Sequence, residues 1–263
     1  MNERYIHGFS EQEQARLFAQ ARILAPGVFG GWDLSCVSNL LEIGCGVGAE
    51  LEIIRERWPH VQLTGLDRSE EHLAAGRSRL PPNIELVEGD ATALPFPDAS
   101  FDRVITIWML EHVPDPGTVI REALRVLKPG GKLICTEVDN DTFRFDPPSA
   151  IIASWWGRFN QFQRDAGGDP WIGPKLAELA QRAGARDVEA VVTHQIDTLQ
   201  QPGRRRIWLD YIEDLLLSGA ESLERAGLVS AGERAGLRSE FERLRQDERV
   251  NFTYFATRLT CSP

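Results

Sequence analysis

The chain has 263 residues, of which 42% are hydrophobic and 26% charged, proportions typical of a soluble globular domain that can bury a full core. A formal net charge of −10 argues against a broad nucleic-acid-binding surface, because such surfaces depend on Lys and Arg. No apolar run is long enough for a membrane helix, and the first residues lack a signal-peptide pattern. The four cysteines show no paired spacing. We therefore expect a cytoplasmic protein with reduced thiols.

The first predicted helix follows a short aromatic segment, residues 5–9, which begins with Tyr5 and contains a glycine. Residues 10–13 have the S-x-x-E form of a capping box, which predicts that a helix begins there. Pro26 and Gly27 predict its end. The apolar residues of this helix share one face: Leu17, Phe18, Ala21 and Leu24.

A glycine-rich turn follows the first predicted strand, residues 40–43. Gly44, Gly46 and Gly48 stand at alternate positions, and the acidic Glu42 precedes them. Glycine lets the backbone turn sharply and lets a ligand approach main-chain N–H groups at the start of a helix. In dinucleotide-binding turns the third glycine comes one residue later. The turn therefore predicts a ligand site whose spacing differs from the dinucleotide motif.

Three further strands follow at regular distances. Residues 61–66 predict a second strand that ends at Asp67, and an acid in this place can accept both hydroxyls of a ribose. Residues 84–87 predict a third strand, which is followed by Asp90 in the segment Gly-Asp-Ala-Thr-Ala-Leu-Pro. Residues 101–107 predict the fourth strand.

A Pro-Gly-Gly turn within residues 127–131 leads into a fifth predicted strand, which ends near Glu137. Strands and helical segments alternate from residue 39 to this point, and each helical segment ends at a proline. Such alternation predicts a parallel sheet with right-handed crossovers and helices on both faces. Ligands of these sheets bind beyond the carboxyl ends of the strands, where the glycines and acids of this chain fall.

In this order and at these distances, five motifs within residues 40–137 resemble those of the class I S-adenosyl-L-methionine (SAM) methyltransferases, closest to the ubiquinone-type and bacterial natural-product enzymes. The resemblance implies an α/β fold with a doubly wound, mostly parallel seven-stranded sheet, Rossmann-like, with its last strand antiparallel beside the fifth and with an α-helical lid. It also implies SAM as the cofactor. The cofactor-binding positions of the family then fall on these residues: Tyr5, Glu42, Gly44, Cys45, Gly46, Gly48, Asp67, Arg68, Asp90, Ala91, Ile107 and His112.

The regular alternation of strands and helices ends after the fifth strand. The pattern then predicts helices at 149–166, 174–183, 203–218 and 230–248, and strands at 188–192 and 252–260. We therefore expect four parts: an N-terminal helical lid segment (1–30), the SAM-binding α/β core (31–194), a helical cap insertion (195–250) and the final strand of the core sheet (251–263).

Three residues are candidates for a catalytic role. His112 matches a family position that often anchors the loop beneath the methionine moiety, and histidine is also the usual general base near neutral pH. Glu137 and Asp139 follow the fifth strand on the same side of an extended chain, where they could hold or deprotonate an acceptor. Acidic oxygens could also bind magnesium, but the chain lacks the wider motif of metal-dependent relatives, so we expect no metal.

The densest aromatic group in the chain lies in and after the helix predicted at 149–166: Trp155, Trp156, Phe159, Phe162 and Trp171. Aromatic residues at helical spacing belong more often to a core than to a pocket. This much aromatic surface must still be buried, and an apolar substrate pocket or a partner subunit would both serve. The sequence therefore leaves open whether the protein forms a homodimer.

The sequence predicts a methyltransferase that acts on a small, partly hydrophobic acceptor, without nucleic acid and without a membrane span. The sequence does not distinguish methylation of an oxygen, a nitrogen or a carbon atom of the acceptor. One alternative is a nucleic-acid methyltransferase. Residues 106–109 lack the Asn/Asp-Pro-Pro-aromatic motif common in such enzymes, which argues against this alternative. A second alternative is an NAD(P)-dependent oxidoreductase. The third glycine of the turn, Gly48, comes one residue too early for the dinucleotide motif, which argues against it. A third is a catalytically silent SAM-binding scaffold.

Overall fold

The computed structural model describes residues 6–8 and 10–263, with the backbone alone at residues 194 and 195. Its strands are β1 (Asn39–Ile43), β2 (Gln62–Asp67), β3 (Ile84–Glu88), β4 (Phe101–Ile107), β5 (Leu127–Asp146), β6 (Arg186–Asp197) and β7 (Asn251–Ser262). Its helices are α1 (Glu11–Val28), α2 (Ala49–Arg57), α3 (Glu70–Arg79), α4 (Pro116–Val126), α5 (Ala150–Asp165), α6 (Leu176–Arg182), α7 (Arg205–Ser218), α8 (Ala220–Arg225) and α9 (Ala231–Gln246). None of these described helices combines the length and apolar character that a membrane crossing requires.

The seven strands form one sheet in the order β3-β2-β1-β4-β5-β7-β6. Strands β1 to β5 pair in parallel with their neighbours. Strand β7 lies between β5 and β6 and runs antiparallel to both. The predicted α/β fold is therefore confirmed, including the mostly parallel seven-stranded sheet and the antiparallel last strand beside the fifth.

Local hydrogen bonds set where several helices begin. The Ser10 hydroxyl accepts from the Glu13 N–H at the start of α1, and Ser149 has the same role at the start of α5. At the start of α9, Ser230 and Glu233 each accept from the other's backbone N–H, which completes a capping box. Each cap satisfies N–H groups that have no partner within the helix.

Helices α7 to α9 lie between β6 and β7 in the chain and pack onto α5 and β5. The sequence pattern missed α8, because this helix has only six residues and follows α7 directly at Gly219. The Trp155 indole of α5 donates to the Leu216 carbonyl of α7 at 3.2 Å. The ring of Phe241 in α9 lies 6.1 Å, centroid to centroid, from Phe145 in β5. These helices share one hydrophobic cluster with α1, α5 and one face of the sheet. The division into four parts stays a prediction.

Replacing Phe241 with Ala should lower the free energy of unfolding by about 3–5 kcal/mol, because the fully buried ring leaves a cavity between α9 and β5. Chemical denaturation followed by tryptophan fluorescence measures the change, and the shared core predicts a single transition. Ile207→Ala, at a residue 42% exposed on α7, serves as the control and should change the stability by less than about 0.5 kcal/mol. A variant that unfolds in two steps, with the first step alone shifted, would contradict a common core.

Candidate functional site

One cavity of about 370 Å³ lies at the carboxyl ends of the parallel strands. Its wall is formed by the turns after β1, β2, β3 and β4, by β5, β6 and β7, and by α1, α5 and α7. Ligands of open α/β sheets bind at this edge because the turns there are free to carry functional groups. The cavity is where most of the sequence-predicted site residues meet.

The glycine turn after β1 wraps around the end of β2. The N–H groups of Gly44 and Cys45 both donate to the Leu66 carbonyl, at 2.7 and 3.0 Å. Gly44, Gly46 and Gly48 have φ angles of 74°, 53° and 73°, a region that side chains disfavour. The turn therefore requires glycine for its backbone shape.

The three glycines nevertheless face different surroundings. A Cβ atom on Gly44 would collide with the Met109 side chain, and one on Gly48 would lie 2.5 Å from the Leu80 side chain. At Gly46 the nearest atom to such a Cβ is 3.9 Å away. Gly44 and Gly46 line the cavity, but Gly48 does not. The ligand contact expected of Gly48 stays a prediction; this residue is the N-cap of α2 and lies next to the Leu80 side chain.

Asp67 connects the glycine turn to the start of α3. One of its carboxylate oxygens accepts from the Gly46 N–H at 2.8 Å, and the other accepts from the Ser69 N–H at 2.9 Å. The side chain also lines the cavity. Asp67 therefore holds both neighbouring turns in place at the point where a ligand would enter.

Three carboxylates surround the glycine turn: those of Glu42, Glu50 and Asp67. Burial, with added repulsion from Glu50 and Asp67, raises the pKa of Glu42 well above its ordinary value. Its Oε2 atom is buried and has no hydrogen-bond partner among the described residues. Burial also raises the pKa of Glu50 to about 7. Because positive charge nearby would favour the ionised forms, this end of the cavity suits a cationic ligand.

Glu42 was expected to contact the cofactor, and this stays a prediction. Glu50 and Asp67 line the cavity, whereas Glu42 is 1% exposed and does not. Its place on β1, one residue before the glycine turn begins, puts its side chain inside the sheet rather than at the sheet's edge. Glu42 is therefore buried next to the glycine turn rather than in the cavity lining.

The other predicted cofactor residues of this region line the cavity: Cys45, Arg68, Asp90, Ala91 and Ile107. The Asp90 carboxylate accepts from the backbone N–H and the hydroxyl of Thr92, at 2.8 and 2.7 Å. These hydrogen bonds hold the pKa of Asp90 below its ordinary value. The turn after β3 thus presents an ionised carboxylate to the cavity.

His112 lines the cavity, but both of its ring nitrogens face protein groups. Its Nδ1 lies 3.4 Å from the Gln163 amide nitrogen, which donates to the Glu111 carboxylate at 2.7 Å. Its Nε2 lies 3.8 Å from a carboxylate oxygen of Glu111. Burial, assisted by the charge of Arg68, lowers the pKa of His112 to about 4. This arrangement favours a structural role for His112 over the expected role of base.

Glu137 and Asp139 were expected to contact the acceptor, and neither side chain lines the cavity. Val138 and Asn140 of the same strand line it instead. Side chains alternate between the two faces of a strand, so the residues at odd and even positions cannot both face the cavity. Glu137 and Asp139 thus lie on the face of β5 that does not line the cavity, and their expected role toward an acceptor stays a prediction.

Glu137 is fully buried beneath the turn that follows β4. Its carboxylate accepts from the N–H groups of Met109, Leu110 and Glu111, at 3.1, 2.8 and 3.3 Å. Burial, with repulsion from Glu111, raises the pKa of Glu137 to about 8. Glu137 therefore fixes the turn that carries Met109 and Glu111 into the cavity wall.

The end of the cavity away from the glycine turn is mainly apolar, and we call it the aromatic lobe: Trp156, Phe159, Tyr211, Leu215 and Tyr254. The rings of Trp156 and Phe159 stack with centroids 5.3 Å apart, and Tyr254 meets Trp156 edge-on at 6.1 Å. The aromatic group predicted from sequence is thus divided. Trp155 belongs to the core, whereas its neighbour Trp156 and Phe159 face the cavity.

Asn140 organises the polar side of the aromatic lobe. Its side-chain oxygen accepts from the Tyr254 hydroxyl at 2.6 Å, and its amide nitrogen donates to Asn160 at 2.7 Å. Its backbone carbonyl accepts from the Trp156 indole at 3.1 Å. Three elements are thereby tied together at one buried side chain, which fixes the orientation of the rings.

His7, in the segment before α1, lines the cavity. Its ring centroid lies 5.6 Å from Phe159 and 6.3 Å from His112, and its Nδ1 lies 2.5 Å from the Ser218 hydroxyl of α7. Tyr5, expected to contact the cofactor, lies outside the described residues. The role of the N-terminal segment as a lid stays a prediction.

Sequence reasoning missed the part of the wall contributed by α1 and α3: Arg16, Leu17, Gln20, Leu24 and His72. The Arg16 guanidinium forms two hydrogen bonds with Glu13, at 2.7 and 2.6 Å, and one with Gln20 at 2.6 Å. Polar residues on the otherwise apolar face of α1 were the available signal, because a face that packs only against core seldom carries them.

Comparison with known proteins agrees with this geometry. Residues 41–135 match the family model described as a methyltransferase domain. Demethylmenaquinone methyltransferase of Listeria welshimeri is 36% identical over 165 residues, which cover 56% of this chain and 70% of that protein. The protein of the same name in Geobacillus kaustophilus is 34% identical over 167 residues, covering 57% and 71%. The chain belongs to the class I SAM-dependent methyltransferases.

The fold of the methyltransferase also resembles that of phosphoethanolamine N-methyltransferase 2 of Haemonchus contortus, solved in complex with SAM. The TM-score is 0.57 and the identity 20%; the similarity covers 93% of this chain and 52% of that chain, so this chain spans about half of it. The expected enzyme class and the cofactor, SAM, are thereby confirmed. No group of three or more His, Cys, Asp or Glu side chains in the described parts of the methyltransferase could hold a metal ion.

Replacing Glu137 with Gln should flatten the pH dependence of stability. The folded-state pKa of about 8 exceeds the ordinary value of 4.5, so the folded protein keeps a proton that the unfolded chain releases. The resulting stability is fully present below about pH 4.5 and is lost as the pH rises through about 8. Thermal unfolding between about pH 5 and about pH 8 should therefore show a steeper loss for the wild type than for the variant.

Glu221→Gln is the matched control for this experiment, because the Glu221 side chain is 82% exposed on α8. It should leave the slope of stability against pH unchanged. Parallel curves for the wild type and Glu137→Gln would show that the buried carboxyl does not hold the extra proton.

Proposed function

We propose that the enzyme transfers a methyl group from SAM to a small, partly hydrophobic acceptor held in the aromatic lobe. The observation that carries this proposal is a single cavity with two chemically different ends. Carboxylates and a glycine turn line one end, and the stacked rings of Trp156 and Phe159 line the other. A cavity of this kind can bring a polar, cationic donor and an apolar acceptor together.

The acidic end fits SAM by its charge. SAM supplies a methyl group on a positively charged sulfur and also carries an ammonium group. The repulsion that Glu50 and Asp67 exert on Glu42 is relieved by such a ligand, because its positive charge favours the ionised carboxylates. We infer that Gly44 and Gly46 admit the cofactor close to the backbone.

We further infer that the two turns after β2 and β3 hold the nucleoside part of SAM. Asp67 accepts from the ribose hydroxyls, and Asp90 with Ala91 borders the adenine. Both carboxylates are oriented by hydrogen bonds to their own turns, from Ser69 and Thr92. Such preorganised acceptors lose little freedom on binding, which favours affinity.

The aromatic lobe supports an apolar, ring-containing acceptor. Stacked aromatic walls bind planar apolar groups well, and the Asn140 network fixes these walls. The relatives in Listeria and Geobacillus are named for demethylmenaquinone, a quinone, which is a compound of this kind. Helices α5 and α7 both contribute to the wall of the lobe. We keep a small molecule as the substrate because the lobe is lined by aromatic side chains and the chain is acidic.

Methyl transfer to small molecules is directly testable. Incubation of the enzyme with methyl-labelled SAM and a low-molecular-weight metabolite extract should place the label in a compound that partitions into organic solvent. Transfer RNA and DNA, supplied in parallel, should stay unlabelled, because the net negative charge of the chain disfavours their binding. Label in either nucleic acid would instead support the nucleic-acid alternative. Absence of label in all samples despite SAM binding would favour a silent scaffold.

Asp67→Asn should weaken SAM binding by about 10- to 100-fold, because it removes charge-assisted hydrogen bonds to the ribose. Isothermal titration calorimetry measures the affinity, and the thermal stability of the variant shows whether the fold survives. Asp98→Asn provides the control, since its side chain is 77% exposed and bonds to Arg125 outside the cavity. Unchanged SAM affinity in Asp67→Asn would refute this placement of the cofactor.

A further inference from the structure

Glu111 brings a carboxyl group into the wall of the cavity at a place that the cofactor does not explain. It lies in the turn after β4, lines the cavity and is 8% exposed. The proposed placement of SAM accounts for Glu50, Asp67 and Asp90 of the same wall but gives Glu111 no role. Carboxyl groups are almost never buried this deeply unless they are paired. The position of Glu111 therefore points to a ligand other than the cofactor.

Helix α5 places this carboxylate beside the aromatic lobe. Its Oε2 atom accepts a hydrogen bond from the Gln163 side-chain amide at 2.7 Å. Gln163 follows Phe159 by four residues and Trp156 by seven, so these three side chains share one face of the helix. All three are buried. The Glu111 carboxylate is therefore held next to the stacked rings of the lobe.

The electrostatics of the lobe agree with this position. Burial raises the pKa of Tyr211 and of Tyr254, and the charge of Glu111 adds to the shift of both. Glu111 is therefore close to two further side chains of the lobe. Arg16, a cation of the same wall, forms two hydrogen bonds with Glu13, which offset its charge.

The Glu111 carboxylate can accept more hydrogen bonds than the described residues give it. A carboxylate has two acceptor oxygens, with about four acceptor positions between them. Oε2 accepts from Gln163, whereas Oε1 lies 3.8 Å from His112 Nε2, beyond hydrogen-bonding distance. Burial lowers the pKa of His112 to about 4, so this ring carries no charge at pH 7. A cation in the lobe would supply both a donor and a countercharge.

We propose that the acceptor is an amine on an apolar, ring-containing frame, that its ammonium group binds Glu111, and that Glu111 removes one of its protons. This assignment rests on the methyl transfer proposed above and narrows it to N-methylation. The aromatic walls take up the ring frame, and the carboxylate offsets the charge of the ammonium group. A neutral hydroxyl compound would leave the buried carboxylate without a countercharge, so the site favours the amine.

The atoms and electrons of the step balance. One nitrogen–hydrogen bond of the ammonium group breaks, its proton passes to the Glu111 carboxylate, and its electron pair stays on nitrogen. This pair forms the bond to the methyl carbon, while the pair of the carbon–sulfur bond stays on the sulfur of S-adenosylhomocysteine. The methylated amine leaves as an ammonium ion, and Glu111 returns its proton to solvent. Burial raises the pKa of Glu111 to about 7, which makes this catalytic residue a stronger base than an ordinary glutamate.

Two probes that differ in a single group test the acceptor chemistry: phenethylamine and phenethyl alcohol, each supplied with methyl-labelled SAM. The wild type should convert the amine to its N-methyl derivative and leave the alcohol unlabelled. Labelling of the alcohol at a comparable rate overturns the amine assignment. If the wild type binds SAM but labels neither probe, the amine assignment fails while the methyltransferase assignment stands. If it does not bind SAM, the proposed function fails instead.

Glu111→Gln removes the charge but keeps the size of the side chain and an oxygen that can accept from Gln163. With phenethylamine, this variant should raise KM about 10-fold, because a charge-assisted hydrogen bond is lost. It should also lower kcat about 100-fold, because the base is lost, while SAM affinity measured by calorimetry stays that of the wild type.

Glu122→Gln is the matched control for this variant. The Glu122 carboxylate also accepts from protein N–H groups, those of Leu94 and Arg125, but it lies outside the cavity lining. This control should turn over phenethylamine as the wild type does. Wild-type turnover by Glu111→Gln overturns the proposal. A loss of SAM affinity equal to the loss of turnover also overturns it, because that result marks Glu111 as a structural residue of the turn.

Discussion

The cavity depends on one buried carboxylate, that of Glu137. It accepts from three successive N–H groups, those of Met109 through Glu111, and so fixes the turn after β4 against β5. That turn places Met109 against Gly44 on one side and Glu111 against Gln163 of α5 on the other. The glycine turn and the aromatic helix are therefore held at a set distance. Placing a carboxyl in the core disfavours its ionised form, and the hydrogen bonds partly offset this effect.

The cofactor end of the cavity brings three carboxyl groups together. Burial, with repulsion from Glu50 and Asp67, raises the pKa of Glu42, which also lacks a hydrogen-bond partner for one oxygen among the described residues. Such an arrangement lowers the stability of the folded protein and raises its affinity for a cation. It also provides a physical basis for product release, because loss of the methyl group removes the positive charge from sulfur. Preference for the charged donor over the neutral product follows from Coulomb attraction at short range.

The acceptor end is built from segments that are far apart in the chain. His7 precedes α1, Trp156 lies on α5, Tyr211 on α7 and Tyr254 on β7. In the proposed arrangement, cofactor binding and acceptor choice depend on different parts of the molecule. Changes in α7 or in the leading segment can alter the acceptor without disturbing the glycine turn. This separation explains how one cofactor-binding sheet can serve many acceptors: catalytic groups on surrounding segments vary while the scaffold is kept.

The sequence by itself determined the parallel pairing of the first five strands, the capped start of α1 and the positions of the glycine turn, Asp67 and Asp90. These features depend on local rules: strand periodicity, side-chain caps and backbone angles open to glycine. It did not determine which face of β5 meets the cavity, because alternation relates Glu137 to Asp139 but not to the neighbours of either. Nor could it show that Gly48 packs against Leu80, or that Tyr211 and His7 border one space. Tertiary structure alone decided these points, since each depends on contacts between elements distant in the chain.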